Sequence, residues 1–144
     1  LIPLCERFSF DMVQAPFNII DRRLLESGWL SRLARQGIEL HARSVFLQGL
    51  LLMQPSARQV KFMRWQSLWN RWQQWLADAA LTPLEACLRY VLSQPEIDRV
   101  VVGVDSLSQL NEILWAAKDD VLEVPEELHC NDTDLINPAR WQYL

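Results

Sequence analysis

The chain holds 144 residues, 50% of them hydrophobic, with 14 Lys and Arg against 18 Asp and Glu and a formal charge of −4; that is enough for one compact domain and too apolar for a disordered chain. The basic residues are dispersed, with no stripe or basic–aromatic interleaving to follow a phosphate backbone, which argues against nucleic acid as a partner. No apolar run approaches the roughly 20 residues that span a bilayer, so no membrane crossing is expected, and the amino end lacks signal-peptide zones, which points to the cytoplasm.

The sequence begins at Leu1 without an initiator Met, as a fragment would. Cys5, Cys87 and Cys130 are odd in number, far apart and outside any CxxC pattern, so each is expected to be a structural thiol. His41 and His129 have no second ligand type at helical spacing, and no metal site is expected.

The first predicted strand spans Phe10 to Asn18, its end marked by Pro16, which cannot donate to a ladder. Leu24, Leu25, Trp29, Leu30 and Leu33 then recur near helical spacing, predicting a helix from Arg22 to Gln36 with Gly37 as its left-handed cap. From Ile38 to Ser44, Ile38, Leu40 and Ala42 alternate with Glu39, His41 and Arg43, assigning the two sets to opposite faces of a second strand. Between Lys61 and Ala79, Phe62, Trp65, Trp69, Trp72 and Leu76 form a helical stripe that Leu68 and Trp75 widen. Such a stripe reads as core; a packing surface for another domain or subunit is the alternative.

Thr82-Pro83-Leu84-Glu85 is a capping box with Pro at the first helical position, opening a helix to about Gln94 that Pro95 stops. Arg99 to Val104 is a valine-rich run of the kind found in a parallel strand buried on both faces. Ser106-Leu107-Ser108-Gln109 forms a second capping box, before a helix that carries Leu110, Ile113, Leu114 and Ala117. The remaining residues, 120–144, contain Pro125 and Pro138 with few periodic apolar positions and are expected to form an irregular tail over the surface. No linker divides the chain, so residues 1–144 are expected to be one domain. The order is α/β, three consecutive parallel βα units with right-handed crossovers, either an open sheet or part of a (β/α)8 TIM barrel. An isolated three-stranded sheet leaves two unpaired edges.

These motifs resemble the carboxyl-terminal portion of the aldo-keto reductase family, the (β/α)8 oxidoreductases that use a nicotinamide cofactor. MVQAPFNIID at 12–21 is similar to the family's sixth strand, GIELHARSVFLQGLL at 37–51 to its seventh strand and following loop, and VVVGVDSLSQLNEIL at 100–114 to its eighth strand and helix. INPARW at 136–141 resembles the family's ending.

By that resemblance, Gln14 takes the place of the side chain that hydrogen-bonds the nicotinamide carboxamide, for which an amide that both donates and accepts is suited. Arg43 stands where many members stack an aromatic ring; a guanidinium also stacks, but it brings charge. Ser44, Gln48 and Gly49 fall at the pyrophosphate, Gly49 allowing close approach. Gly103 lies near the end of the last strand and Asp105 and Ser106 follow it, with Ser106 at a helix start suited to an anion. Members that use the phosphorylated cofactor often carry Arg or Lys just before this point; Asp105 would repel a 2′-phosphate and accept ribose hydroxyls, so NAD is expected over NADP. Gln109 and Glu112 match positions at the adenosine end, while Ile113 replaces a common Asn. A satisfied Gln, a simple turn at Gly49 and a structural cap at Ser106 are the bland alternatives.

The family's proton-donating Tyr and its Lys, Asp and His partners lie on earlier strands, and neither Tyr90 nor Tyr143 sits in the matching context, so no catalytic residue is assigned. What the resemblance implies is the cofactor-binding part of an oxidoreductase moving hydride between a nicotinamide cofactor and a small carbonyl or alcohol substrate, incomplete on its own. The alternative is a half-barrel scaffold that self-associates, as a homo-oligomer, through its strand edges or Trp-rich helix. An open flavodoxin-like sheet lacks its Gly-rich first turn.

Overall fold

A computed structural model describes residues 2–5, 7–117 and 122–144. After a single helical turn, α1 (Ile2–Cys5), the first strand β1 covers Met12–Pro16. Val13 and Ala15 turn inward while Met12 and Gln14 face solvent, the period-2 alternation of a half-buried strand. Pro16 takes the last ladder position, and the hydrogen bonding passes to Phe17, whose N–H donates to the Arg43 carbonyl at 3.1 Å.

The helix expected over Arg22 to Gln36 is two pieces, α2 (Arg23–Glu26) and α3 (Trp29–Arg35). Gly28 breaks it, with a left-handed φ of 72° that glycine adopts without steric cost. The break turns Leu25 outward, while Trp29, Leu30 and Leu33 remain buried. Gly37 closes α3 as expected: its N–H reaches the Ala34 carbonyl and that of Ile38 the Leu33 carbonyl, which satisfies two otherwise orphaned acceptors.

The central strand β2 (Glu39–Arg43) runs parallel to β1, pairing Met12 with Glu39 through Pro16 with Arg43. On its other side it pairs in parallel with β3 (Arg99–Val100), His41 opposite Arg99 and Ala42 opposite Val100. Leu40 and Ala42 enter the core, and the opposite face carries Glu39, His41 and Arg43. On that open face Glu39 sits 2.9 Å from both the His41 ring and the Arg99 guanidinium, which hold its carboxyl below the usual range.

The expectation that Arg99 to Val104 is buried on both faces is corrected here. Only Arg99 and Val100 join the ladder, Val101 adds one bond to Ala42 at 2.8 Å, and Val101 and Val104 are exposed. The strand lies at a sheet edge, and among the described residues it pairs with β2 alone.

The tryptophan stripe is core. A 3-10 segment, Val60–Trp65, leads into α4 (Gln66–Asp78), and Phe62, Trp65, Leu68, Trp69, Trp72 and Leu76 are all buried. Trp69 donates its indole N–H to the Phe62 carbonyl at 2.8 Å, and the Arg58 guanidinium stacks 4.2 Å from its ring centre. Because the chain covers these rings itself, the stripe is not available as an oligomer surface.

The Thr82 box caps α5 (Pro83–Leu92) reciprocally: the Glu85 N–H donates to the Thr82 hydroxyl, and the Glu85 carboxylate accepts the Thr82 N–H. The helix α6 (Leu107–Ala116) is capped by one half of the expected box, since Ser106 accepts the Gln109 N–H but the Gln109 side chain reaches back to the Asp105 N–H instead. Of its expected core residues, Ile113 is half-buried, Leu110, Leu114 and Ala117 are exposed, and Ala116 is the buried one. The helix follows an edge strand and, among the described residues, packs mainly on α5, with Leu107, Leu110, Leu114 and Trp115 exposed.

Residues 120 and 121 of the expected tail lie outside the described residues. The rest is a succession of short helical segments: Glu126–Leu128, then α7 (Thr133–Ile136), then Pro138–Tyr143. It is anchored, with Leu128, Leu135 and Ile136 buried in the core. Lys61 donates to the Trp141 carbonyl at 2.8 Å, and the Trp141 ring meets Phe62 edge-on. Among the described residues the three cysteines are free, and no helix is long and apolar enough to cross a membrane.

Candidate functional site

A cleft of about 820 Å³ opens where the chain leaves the carboxyl ends of β2 and β3. In parallel α/β sheets this is the rim at which ligands bind. Arg43, Ser44, Gln48 and Gly49 reach it from the β2 side, Gly103 and Asp105 from the β3 side, and Gln109 and Glu112 from α6. Residues from two segments some 60 positions apart in sequence thus come to one place.

Two expected site residues stand outside it. Gln14 is exposed on the open face of the sheet, opposite His41 on the neighbouring strand. Ser106 spends its hydroxyl on the cap, accepting the Gln109 N–H at 3.2 Å.

The loop after β2 is unusual backbone. Ser44, Leu47 and Gln48 hold φ values of 59°, 46° and 54°, and Gly49 follows at 80°. Each non-glycine residue there costs about 1–2 kcal/mol, so the surrounding packing must impose the shape. Leu47, Leu50 and Leu51 are buried beneath the loop. Asn18 holds its start: the fully buried amide donates to the Ser44 carbonyl at 3.1 Å and accepts the N–H groups of Ile20 and Asp21. Among the described residues, the N–H groups of Val45, Phe46, Gln48 and Gly49 donate to no other backbone carbonyl. A turn of left-handed residues with unpaired N–H groups at a cleft is suited to an anion.

Charge at the rim is mixed. The Arg43 guanidinium donates to the Ser44 hydroxyl at 3.2 Å, and Asp105 and Glu112 line the same cleft from beyond β3 and from α6. Gln109 accepts the Asp105 N–H at 2.8 Å, which fixes its carbonyl oxygen and leaves its amide N–H groups for a ligand.

Sequence reasoning missed the far wall, formed by Thr82, Pro83 and Leu84 at the start of α5, and the floor at Val45, Phe46 and Leu52. The capping box located the helix start, but nothing in it signals a cleft. Asn18 was missed as well; its signal is a polar residue directly after a strand and before the apolar pair Ile19 and Ile20.

The sequence model described as the aldo/keto reductase family matches residues 4–126. No curated protein matches the chain. Among solved structures, the holo and apo forms of the aldo-keto reductase AKR11C1 from Bacillus halodurans each align with a TM-score of 0.59 at 20% identity, over 85% of this chain and 42% of that chain. At that identity the likeness speaks for fold: the three parallel βα units and their open sheet are part of a (β/α)8 barrel. The chain spans 42% of the length of that solved relative.

Proposed function

The chain belongs to the aldo/keto reductase family, and from that premise we propose that it forms the carboxyl-terminal, cofactor-holding portion, strands six to eight, of an oxidoreductase acting on a small carbonyl or alcohol. The observation that carries this is the convergence of Ser44, Gln48, Gly49, Gly103, Asp105, Gln109 and Glu112 on one cleft.

The residues present fit a nicotinamide dinucleotide. Unpaired N–H groups at Gln48 and Gly49 suit a pyrophosphate, and a Cβ built at Gly49 or Gly103 meets nothing within 4 Å, so both approaches are open. Arg43 would hold the nicotinamide end, Ser44, Gln48 and Gly49 the pyrophosphate, and Gly103, Asp105, Gln109 and Glu112 the adenosine end; Gln14 and Ser106, which do not line the cleft, would have to reach the ligand from beside it. A bound nicotinamide supplies the hydride. Asp105 beside the ribose favours NAD over NADP, since a carboxylate repels a 2′-phosphate. On this reading the proton is given by a group outside this set and the portion is not catalytically complete alone, which is supported by neither Tyr90 nor Tyr143 lining the cleft. Free thiols support a reducing, cytoplasmic setting.

The test is a fluorescence titration with NADH and NADPH. Saturable binding that weakens about tenfold or more in Gln48→Ala and Gln14→Ala supports the proposal; a flat titration sinks it. A self-associating scaffold is the second reading, favoured by the uncovered Val101, Val104, Leu107, Leu114 and Trp115, the last 77% exposed. Light scattering separates the two, since a dimer blind to nucleotides fits the scaffold alone.

A further inference from the structure

Away from the cleft, the tail passes α2 at a point where three side chains able to bind a metal converge. His129 Nδ1 lies 2.6 Å from Glu26 Oε1, and the ligand atoms of Glu26, Glu126 and His129 all fall within 4.8 Å of one another. Glu26 ends α2, while Glu126 opens the turn Glu126–Leu128 and His129 follows it, so the cluster bridges two segments about a hundred residues apart. That separation is why the isolated histidine gave no metal signal in the sequence.

Two buried polar atoms beside the cluster have no hydrogen-bond partner among the described residues. One is His129 Nε2; the other is the Tyr90 hydroxyl, on a side chain from α5. Tyr90 is only 5% exposed. The Arg22 guanidinium that reaches Glu126 at 3.1 Å also lies 5.2 Å from the centre of the Tyr90 ring, which sets that ring beside the cluster, and burial pushes the hydroxyl's pKa up to about 12. A neutral buried hydroxyl without a partner costs stability unless something is there to engage it.

Charge also leaves room for a cation. Asp21 is taken by Arg23 at 2.7 Å, and Arg22 reaches Glu126 at 3.1 Å. Arg22 balances one of the two glutamates and leaves one negative charge over. The Glu126 side chain is 80% exposed, so one oxygen can turn to an ion while the other keeps Arg22.

We propose that Glu26, Glu126 and His129 form a divalent transition-metal site, with Zn²⁺ as the ion its one-nitrogen, two-oxygen donor set suits, which staples the tail to α2. The ion takes the place of the proton bridging His129 and Glu26. Those two atoms need only separate from contact to the spacing of ligands that each lie about 2.0–2.2 Å from one ion. A water completes four-coordination, and the Tyr90 hydroxyl is the group left to hydrogen-bond it.

The test is calorimetric titration of the tag-free chain with Zn²⁺, alongside thermal unfolding with and without the ion. One ion per chain and a rise in midpoint of roughly 5 °C are expected, reversed by a chelator. His129→Ala should weaken binding by roughly a hundredfold, and Glu26→Gln and Glu126→Gln, at exposed positions that do not threaten folding, by about tenfold or more. Cys130→Ser, next in sequence to His129, should bind as the parent does. A titration without heat and without a midpoint shift overturns the proposal. So does binding that survives both Gln variants, or that is lost in Cys130→Ser.

Discussion

Asn18 donates its side-chain amide to the Ser44 carbonyl at 3.1 Å, joining the end of β1 to the first residue of the cleft loop. The same side chain accepts two backbone N–H groups, so all of its polar atoms are committed inside the protein. Asn18→Ala leaves buried donors and an acceptor unpaired and is expected to cost about 2–4 kcal/mol in urea unfolding. The loop it holds carries unfavourable φ values, so nucleotide affinity should fall with stability. An unchanged urea midpoint would show that the hydrogen bonds do not hold the loop.

Two cleft glycines differ in what their backbones demand. Gly49 has a φ of 80°, whereas Gly103 has no such conformation, and neither would meet an obstacle on gaining a Cβ. Gly49→Ala is therefore expected to lose about 1–2 kcal/mol through backbone strain alone. Gly103→Ala should be neutral or gain up to about 1 kcal/mol by restricting the unfolded chain. Equal effects in chemical denaturation would refute the distinction.

Local chemistry was legible in the sequence where one residue type determines it. The Thr82–Glu85 box, the Gly37 cap and the inward Leu40 and Ala42 all read correctly because capping, left-handed backbone and strand alternation act over a few residues. What depends on neighbours did not. The run Arg99 to Val104 looks like a strand covered on both faces, but composition does not say whether a further strand lies beside it. Gly28 is compatible with a helix interior at modest cost, so its break became visible only with its φ. In the cleft, the residues after each strand were readable as a family pattern, whereas the Thr82 wall and the Asn18 tie are set by tertiary packing alone.

Asp105 lines the cleft where the adenosine ribose is proposed to lie. Asp105→Arg replaces repulsion with a bidentate donor, and the ratio of NADPH to NADH affinity should rise about tenfold or more. Competitive fluorescence titration measures it. A ratio that does not move would place the adenosine end elsewhere.

Cys87 is fully buried on α5, and burial pushes its thiol well above the ordinary range. The thiolate is the reactive form, so Cys87 should resist a disulfide reagent in the folded chain and react when it unfolds. Mass spectrometry of the labelled peptides locates the modification. Labelling of Cys87 at the rate of a model thiol under native conditions would contradict its place in the core.

Asp132 ties the tail to the tryptophan stripe. Its carboxylate accepts the Asp134 N–H at 3.0 Å, the Trp65 indole N–H at 3.0 Å and the Arg64 guanidinium at 3.1 Å, and with the Asp134 bond first these hold its pKa below the ordinary 3.8. A carboxyl depressed in the folded state stabilises above its unfolded value, and that contribution drains away as pH falls from 3.8 through the lower folded value. Asp132→Asn should therefore be less stable than the parent at about pH 7, and the gap should narrow as pH falls below 3.8. Urea midpoints of both proteins across that range, followed by tryptophan fluorescence, measure it. Because other carboxylates titrate in both chains alike, the difference isolates Asp132; a gap constant with pH would mean that its charge does not hold the tail.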